Sequence, residues 1–210
     1  MRKDTVTIIG KGISLKDFDF TQVEGDVMAI NHLPQVDKLD YVVYWDADTY
    51  DRIKDTTARI ISCDHNEGKC DICYKNRGGE AVNLNEGEVG NVNLSGWIAI
   101  NAALQLGYTE IYILGYDGGT KYGVHYDVDD TDKRGDSYKL YNDKFALFVG
   151  FADIHNVVNP EYDSEINCFP KITFDEYYQR ILSGVDGCPV VDTNRILSGR
   201  SDEASTSDYC

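Results

Sequence analysis

Positive charge is scarce in this chain: 20 lysines and arginines stand against 36 aspartates and glutamates, for a formal net charge of −16. That balance excludes broad binding to a nucleic-acid backbone or an anionic membrane, since both need basic faces. A local basic pocket for one nucleotide stays open. Long apolar runs are also missing. The first, Thr5-Val6-Thr7-Ile8-Ile9, is too short and too soon interrupted for a signal peptide or a membrane span, so a cytoplasmic protein is expected. The six cysteines are unevenly spaced and accompany no export signal, which argues against a disulfide framework. Two nucleotide-binding signatures are absent as well. The turn Gly10-Lys11-Gly12-Ile13-Ser14-Leu15 has no second glycine followed by Lys-Ser or Lys-Thr, as a Walker loop requires. It also lacks the third glycine of the dinucleotide fingerprint. There is no internal repeat.

What is present is a globular composition, 42% hydrophobic and 11% aromatic, in 210 residues, enough for one domain with a sizeable core. The most informative stretch runs from Leu94 to Gly119, LSGWIAINAALQLGYTEIYILGYDGG. Ser95 reads as an N-cap, and Trp97, Ile98, Ala102, Leu104 and Leu106 follow at helical spacing until Gly107 stops the helix. Ile111-Tyr112-Ile113-Leu114 then reads as a parallel strand covered on both faces. Gly115-Tyr116-Asp117-Gly118-Gly119 falls just beyond a strand's carboxyl end, where open α/β sheets bind ligands. The start of helix Ser95–Leu106 offers free N–H groups, a candidate anion seat. The competing reading is an ordinary αβ unit whose glycines only shape turns.

Further strands are predicted at Thr5–Ile9, Asp26–Ile30, Tyr41–Trp45, Arg59–Ile61 and Ile154–Val158, and helices at Tyr138–Phe151 and Phe174–Leu182. Residues 64–93 read as a polar insertion with little periodicity, and residues 118–137 as an acid-rich solvated lid. After Ser183 the periodicity fades, so residues 183–210 are expected to form a mobile tail. The fold class expected is a single α/β domain over 1–182, with a mainly parallel sheet and an insertion at 63–93, which the resemblance described below makes Rossmann-like.

Two constellations suit metals. Cys63-x-His65-x4-Cys70-x2-Cys73 supplies a Cys3His set, which tetrahedral zinc accepts, and a full set of protein ligands makes the site structural. Unligated thiols are the alternative. Asp46-Ala47-Asp48 follows a strand and offers hard oxygens to a divalent cation such as Mg²⁺ or Mn²⁺, although such pairs are common in so acidic a chain. His32 directly follows Asn31 and is either a cleft residue or a hydrogen-bonded loop residue. His155 reads as structural.

The succession GKGISL, AIN, SGWIAINAALQLGYTEIYILGYDGG and VVNPEYDS resembles the bacterial lipo-oligosaccharide sialyltransferases. It is also similar to a wider Rossmann-like group that includes archaeal pterin pyrophosphokinase-like proteins. The resemblance covers roughly residues 5–182. It implies a cytidine nucleotide held along the carboxyl ends of the strands by Gly12, Ser14, Asn31, Ser95, Gly96, Gly115 and Asp117, with Asn159 and Ser164 near a later segment. Glycines let a backbone approach phosphate, an Asp can accept two ribose hydroxyls, and an Asn suits a base edge. Lys11 and Asp46 stand where the family has Asn, and Gly119 where it has an aromatic residue. Tyr138 aligns with the family's catalytic histidine, and His125 is the nearest histidine that a loop brings back. Both are candidate catalytic residues.

The function expected from these residues is transfer of a sugar from a nucleotide-activated donor, such as a CMP-linked one, to an acceptor hydroxyl. A pyrophosphokinase-like phosphotransferase is the alternative enzyme, with a metal at Asp46 or Asp48. A zinc-stabilised nucleotide-binding module without activity is the third reading. The partners expected are a nucleotide or nucleotide-sugar ligand and an acceptor that the sequence does not identify.

Overall fold

The computed structural model describes residues 5–33, 36–78, 82, 85–90, 94–118, 143–162 and 164–186. Among the described residues nine strands form one sheet: β1 (Thr5–Ile9), β2 (Asp26–Ile30), β3 (Tyr41–Val43), β4 (Arg59–Cys63), β5 (Ile72–Asn76), β6 (Glu88–Val89), β7 (Glu110–Leu114), β8 (Asp153–Val158) and β9 (Lys171–Thr173). Their order is β6-β5-β4-β3-β2-β1-β7-β8-β9. Every neighbouring pair is parallel. Among the described residues the helices are α1 (Tyr50–Ile53), α2 (Ser95–Gln105) and α3 (Phe174–Asp186), with short 3₁₀ turns between strands.

Alternation along the central strands divides the core into two layers. Val6 and Ile8 of β1 and Ile111 and Ile113 of β7 face α2, packing with Trp97, Ile98 and Ala102. Ile9, Tyr112 and Leu114 face the other way, with Ile53 of α1 and Tyr177 and Ile181 of α3. Thr7 belongs to this second face, where its hydroxyl and the Tyr177 phenol lie 2.9 Å apart in a buried hydrogen bond. Strands covered on both sides need apolar residues at nearly every position, which is why β1, β2 and β7 read as continuous runs. With helices on both faces and all strands parallel, this is a doubly wound, Rossmann-like α/β fold.

The chain leaves the sheet centre at β1, builds outward through β2 to β6, then returns to place β7 on the other side of β1. The β1–β7 boundary is therefore the topological switch point. All carboxyl ends lie on one edge of the sheet, and in doubly wound sheets this boundary is where a ligand crevice is expected.

Several expectations are corrected. The polar stretch 64–93 contributes β5 and β6, which extend the sheet to its edge. Only Tyr74 is buried in β5, so this edge strand carries too weak an apolar signal to read in advance. The three-residue β9 was likewise below recognition. In the stretch expected to be a helix over 138–151, the described part is a 3₁₀ helix, Asp143–Phe148, whose Phe145 and Phe148 pack on Trp97. Helix α3 runs four residues beyond Leu182, through Asp186, so its last turn takes the start of the expected tail. Residues 187–210 and most of the expected acidic lid lie outside the described residues. No described helix is long and apolar enough to cross a membrane.

Ile113 is fully buried in a central strand, while Leu182 of α3 is 54% exposed. Ile113→Ala should lower the unfolding free energy by about 2–5 kcal/mol. Leu182→Ala should change it by less than about 0.5 kcal/mol. Urea titrations of the two variants check this, and similar losses in both would contradict the two-layer core.

Candidate functional site

At the switch point the β1–β7 pairing continues beyond the strands. Gly10 N–H donates to Leu114 O at 2.7 Å and Gly12 N–H to Gly115 O at 2.9 Å. A Cβ on Gly10 would stand 2.7 Å from Gly115 O, and one on Gly12 would meet both that oxygen and the Asp117 carboxylate. Gly115 has φ +67°, and a Cβ there would press on Leu15 Cδ1 at 2.6 Å. No side chain fits at Gly10 or Gly12 without moving backbone, and one at Gly115 would need a strained left-handed residue and a displaced Leu15. The glycines of the sequence motif hold two loops against each other.

Asp117 fastens the same seam. Its carboxylate accepts from Ser14 N–H at 2.9 Å, from the Ser14 hydroxyl, and from the backbone of Ile13. Ser14 is 1% exposed, so its hydroxyl is committed to this carboxylate. Burial raises the Asp117 pKa above its ordinary value, and the hydrogen bonds from Ser14 and Ile13 only partly offset that. The far side of the loop is held from β8. Ser164 Oγ donates to Tyr116 O at 2.7 Å and accepts from Asn156 Nδ2 at 2.9 Å, and Glu165 N–H donates to Asp117 O at 2.7 Å. Asn159 Nδ2 donates to Lys16 O at 3.2 Å, tying the end of β8 to the first loop.

Tyr116 links this seam to α2. Its ring lies over Gly96, where a Cβ would be 3.0 Å from Cε1, and its hydroxyl donates to Gly96 O at 3.2 Å. Burial pushes this phenol well above its ordinary pKa. The expected N-cap is corrected: Leu94 occupies the cap position, and Ser95 is the first helical residue. An apolar cap supplies no side-chain acceptor, and none caps this helix. The Ser95 and Gly96 amides accordingly have no hydrogen-bond partner among the described residues. Ser95 Oγ instead donates to Asn31 Oδ1 at 3.4 Å. Asn31 follows β2 with φ +59°, a left-handed conformation that Asn tolerates better than most residues.

Gly12, Ser14, Asn31, Ser95, Gly96, Gly115 and Asp117 are thus joined through one continuous set of contacts around the crevice. Sequence reasoning missed Tyr116 as the piece connecting the two halves. A large aromatic between Gly115 and Asp117, facing a Ser-Gly pair, was the available signal. The candidate catalytic residues His125 and Tyr138 lie outside the described residues.

The Cys3His zinc set is not assembled. Cys63 pairs with Tyr74 and Ser62 with Cys73 in the β4–β5 ladder, so Cys63 and Cys73 point to opposite faces. Cys63 lies in the α2-face core, where burial pushes its thiol up to about 12, and Cys70 packs on the α3 face. His65 Nε2 lies 2.8 Å from Trp45 O, with its ring 4.1 Å from the Trp45 ring. Asp46 and Asp48 are exposed, and among the described residues no group of three or more His, Cys, Asp and Glu is placed to hold a metal. Spacing showed four ligands close in sequence, but strand alternation sends one through the sheet.

No protein-family model matches the chain, and no curated protein does. Solved structures similar in chain path include the sialyltransferase CstII from Campylobacter jejuni in complex with cytidine-5'-monophosphate, at 15% identity and TM-score 0.46, covering 81% of this chain and 88% of that one. A variant of that sialyltransferase in complex with CMP is similar at 14% identity and TM-score 0.45, covering 80% and 86%. CstII from the same organism in complex with CMP-3FNeuAc follows at 15% identity and TM-score 0.44, also covering 80% and 86%.

Because Asp117 satisfies buried donors on Ser14, Asp117→Ala should destabilise the fold by about 1–3 kcal/mol, read from urea midpoints. Its folded-state pKa lies above the ordinary 3.8, so the folded protein binds this proton more tightly than the unfolded chain. The stabilisation from that proton is complete below about pH 3.8 and is lost as pH rises through the folded value. The gap between wild type and Asp117→Ala should therefore narrow from acid toward neutral pH. A gap that widened instead would mean hydrogen bonding outweighs burial at this carboxylate.

Proposed function

We propose that the chain binds a nucleotide-activated sugar in the switch-point crevice and transfers the sugar to an acceptor hydroxyl. The observation that carries this reading is the start of α2, where the amides of Ser95 and Gly96 have no hydrogen-bond partner among the described residues and lie beside Asn31, at the switch point of a doubly wound sheet. The motif resemblance in the sequence supports the choice of a cytidine nucleotide.

The geometry changes the roles assigned to individual residues. Gly12, Ser14, Gly115 and Asp117 shape and lock the wall, since their polar groups are largely engaged with one another. A phosphate is best served by the Ser95 and Gly96 amides and the Ser95 hydroxyl, where the helix dipole favours an anion. Asn31, half-exposed at the rim, is assigned to the base or the sugar. For the acceptor's proton, His125 and Tyr138 remain the proposed groups, with His32, next to Asn31 on the carboxyl edge, as the other imidazole to test.

Cytidine monophosphate and its sugar conjugates should raise the melting temperature of the protein, and ligand at a hundred times its Kd stabilises by about 2.7 kcal/mol. Asn31→Gly keeps the left-handed backbone while deleting the side chain. It should leave the melting temperature of the free protein nearly unchanged and weaken nucleotide affinity about 3–10-fold, as expected for one or two neutral hydrogen bonds. No binding of any nucleotide to the wild type at millimolar concentration would end this reading.

If His125 is the general base, His125→Ala should keep nucleotide affinity and reduce turnover of a bound donor about 10²–10⁴-fold. Unchanged turnover would move the role to Tyr138 or His32. Binding without turnover of any donor would favour the non-enzymatic module, and turnover strictly dependent on Mg²⁺ would favour phosphotransfer.

A further inference from the structure

The failure of the zinc set frees His65 for another role. It follows β4 in the short 3₁₀ turn Asp64–Asn66, at the carboxyl edge of the sheet. Its side chain is exposed, yet it is held in place. The imidazole lies against the Trp45 ring, with centroids 4.1 Å apart and planes at 51°, and Nε2 is 2.8 Å from Trp45 O. The next residue fixes which way that bond runs. Asn66 Nδ2 has two hydrogens, and Trp45 O takes one at 2.9 Å while Ser62 Oγ takes the other at 3.0 Å. Although Asn66 Nδ2 also stands 2.9 Å from His65 Nε2, it has no third hydrogen to give. Nε2 therefore carries its own proton and donates it to the second lone pair of Trp45 O. The Ser62 hydroxyl donates in turn to Tyr44 O at 2.8 Å. Asn66 and Ser62 are both buried. An exposed aromatic ring is thus anchored to a buried network, with one face on Trp45 and the other turned to solvent.

The position of this pair gives it a use. Trp45 packs on the α2-face core, so the pair lies on the same side of the sheet as the start of α2. Asn31 stands one strand away: its N–H donates to Val43 O at 2.8 Å, two residues before Trp45, and its side chain bonds Ser95. His65, at the end of β4, is two strands from β2, about 10 Å at ordinary strand spacing. Along the edge the order is α2 amides, Asn31, aromatic pair. A nucleoside monophosphate has the matching order of phosphate, ribose and base.

We propose that Trp45 and His65 form the ledge on which the base of the nucleotide stacks. The base lies on the outer face of the imidazole, the phosphate meets the Ser95 and Gly96 amides, and the ribose passes Asn31. This assignment rests on the nucleotide reading above and adds where the base goes. Every base has a π face, so an aromatic ledge separates nucleotides from base-free sugar phosphates without choosing among bases.

Calorimetric titration of the full-length protein with cytidine monophosphate and with ribose 5-phosphate, which lacks the base, tests the ledge. Wild type should bind cytidine monophosphate at least about 5-fold more tightly than ribose 5-phosphate. His65→Ala should weaken cytidine monophosphate about 5–100-fold and leave ribose 5-phosphate unchanged. Trp45→Leu, which removes the support under the imidazole but keeps an apolar side chain, should show the same selective loss. His65→Phe, which keeps a flat ring, should retain most of the affinity. Circular dichroism checks that the variants are folded, and His65→Ala, at an exposed position, decides alone if Trp45→Leu is not. Cytidine monophosphate affinity that survives in His65→Ala, equal losses for both ligands, or equal binding of both by wild type would overturn the ledge while nucleotide binding stands. If neither ligand binds wild type, the nucleotide reading falls and the ledge falls with it.

Discussion

The contact on which the rest depends is the backbone seam between the first loop and the loop after β7. Two N–H to carbonyl bonds, from Gly10 to Leu114 and from Gly12 to Gly115, carry the central ladder past the ends of its strands. This seam needs glycine on both sides, because a Cβ at Gly10, Gly12 or Gly115 would fall within 2.7 Å of an atom across it. Once the loops are this close, Asp117 lies beside Ser14, and Tyr116 reaches over the start of α2. The crevice wall follows from backbone contact, with side chains added to it.

Much of the polar chemistry near the crevice is consequently internal. A carboxylate that accepts from two backbone amides and a hydroxyl has little capacity left for a ribose, and its burial already disfavours the charge. Ser164 works in the same way on the opposite side, serving carbonyls of the loop. What this edge of the sheet offers the proposed nucleotide is concentrated at the first turn of α2. There an apolar cap residue, Leu94, supplies no side-chain acceptor, and the first backbone donors have no partner among the described residues. An uncapped helix in the interior of a sequence that is otherwise well provided with Asp, Asn and Ser is an unusual local choice. Such local inconsistencies are where binding sites are to be sought.

The central strands and α2 were legible because burial on both faces and helical periodicity leave dense apolar signatures. The grouping of Gly12, Asn31, Ser95 and Asp117 was legible from the motif resemblance and from strand–loop order, since parallel strands send all their carboxyl ends to one edge. Individual roles were less so. Sequence gives no sign that Ser14 is enclosed and bonded to Asp117, because a serine in a glycine loop looks the same whether it faces a ligand or a carboxylate. Ser95 resembled a cap, but the helix begins one residue earlier than a capping serine would require. The cysteine cluster failed for a different reason. Ligand spacing is counted along the chain, whereas a strand turns each successive side chain to the other face. With β5 hidden by its single buried residue, the alternation that separates Cys63 from Cys73 was hidden too.

The switch-point topology also governs how the molecule comes into being. β1 ends up in the middle of the sheet, yet the partner that covers its second edge, β7, lies far downstream, with Thr5 bonded to Glu110 across a separation of 105 residues. During synthesis at about 5–20 residues per second, β1 through β6 can emerge and pair while that edge stays open for on the order of 5–20 s. An apolar strand edge is a template for any other strand nearby, and parallel pairings between distant segments form slowly. The two loops that form the crevice meet only after this wait. The loop seam at the switch point thus forms only once β7 has closed the second edge of β1, with β8 and β9 still to be added outside it.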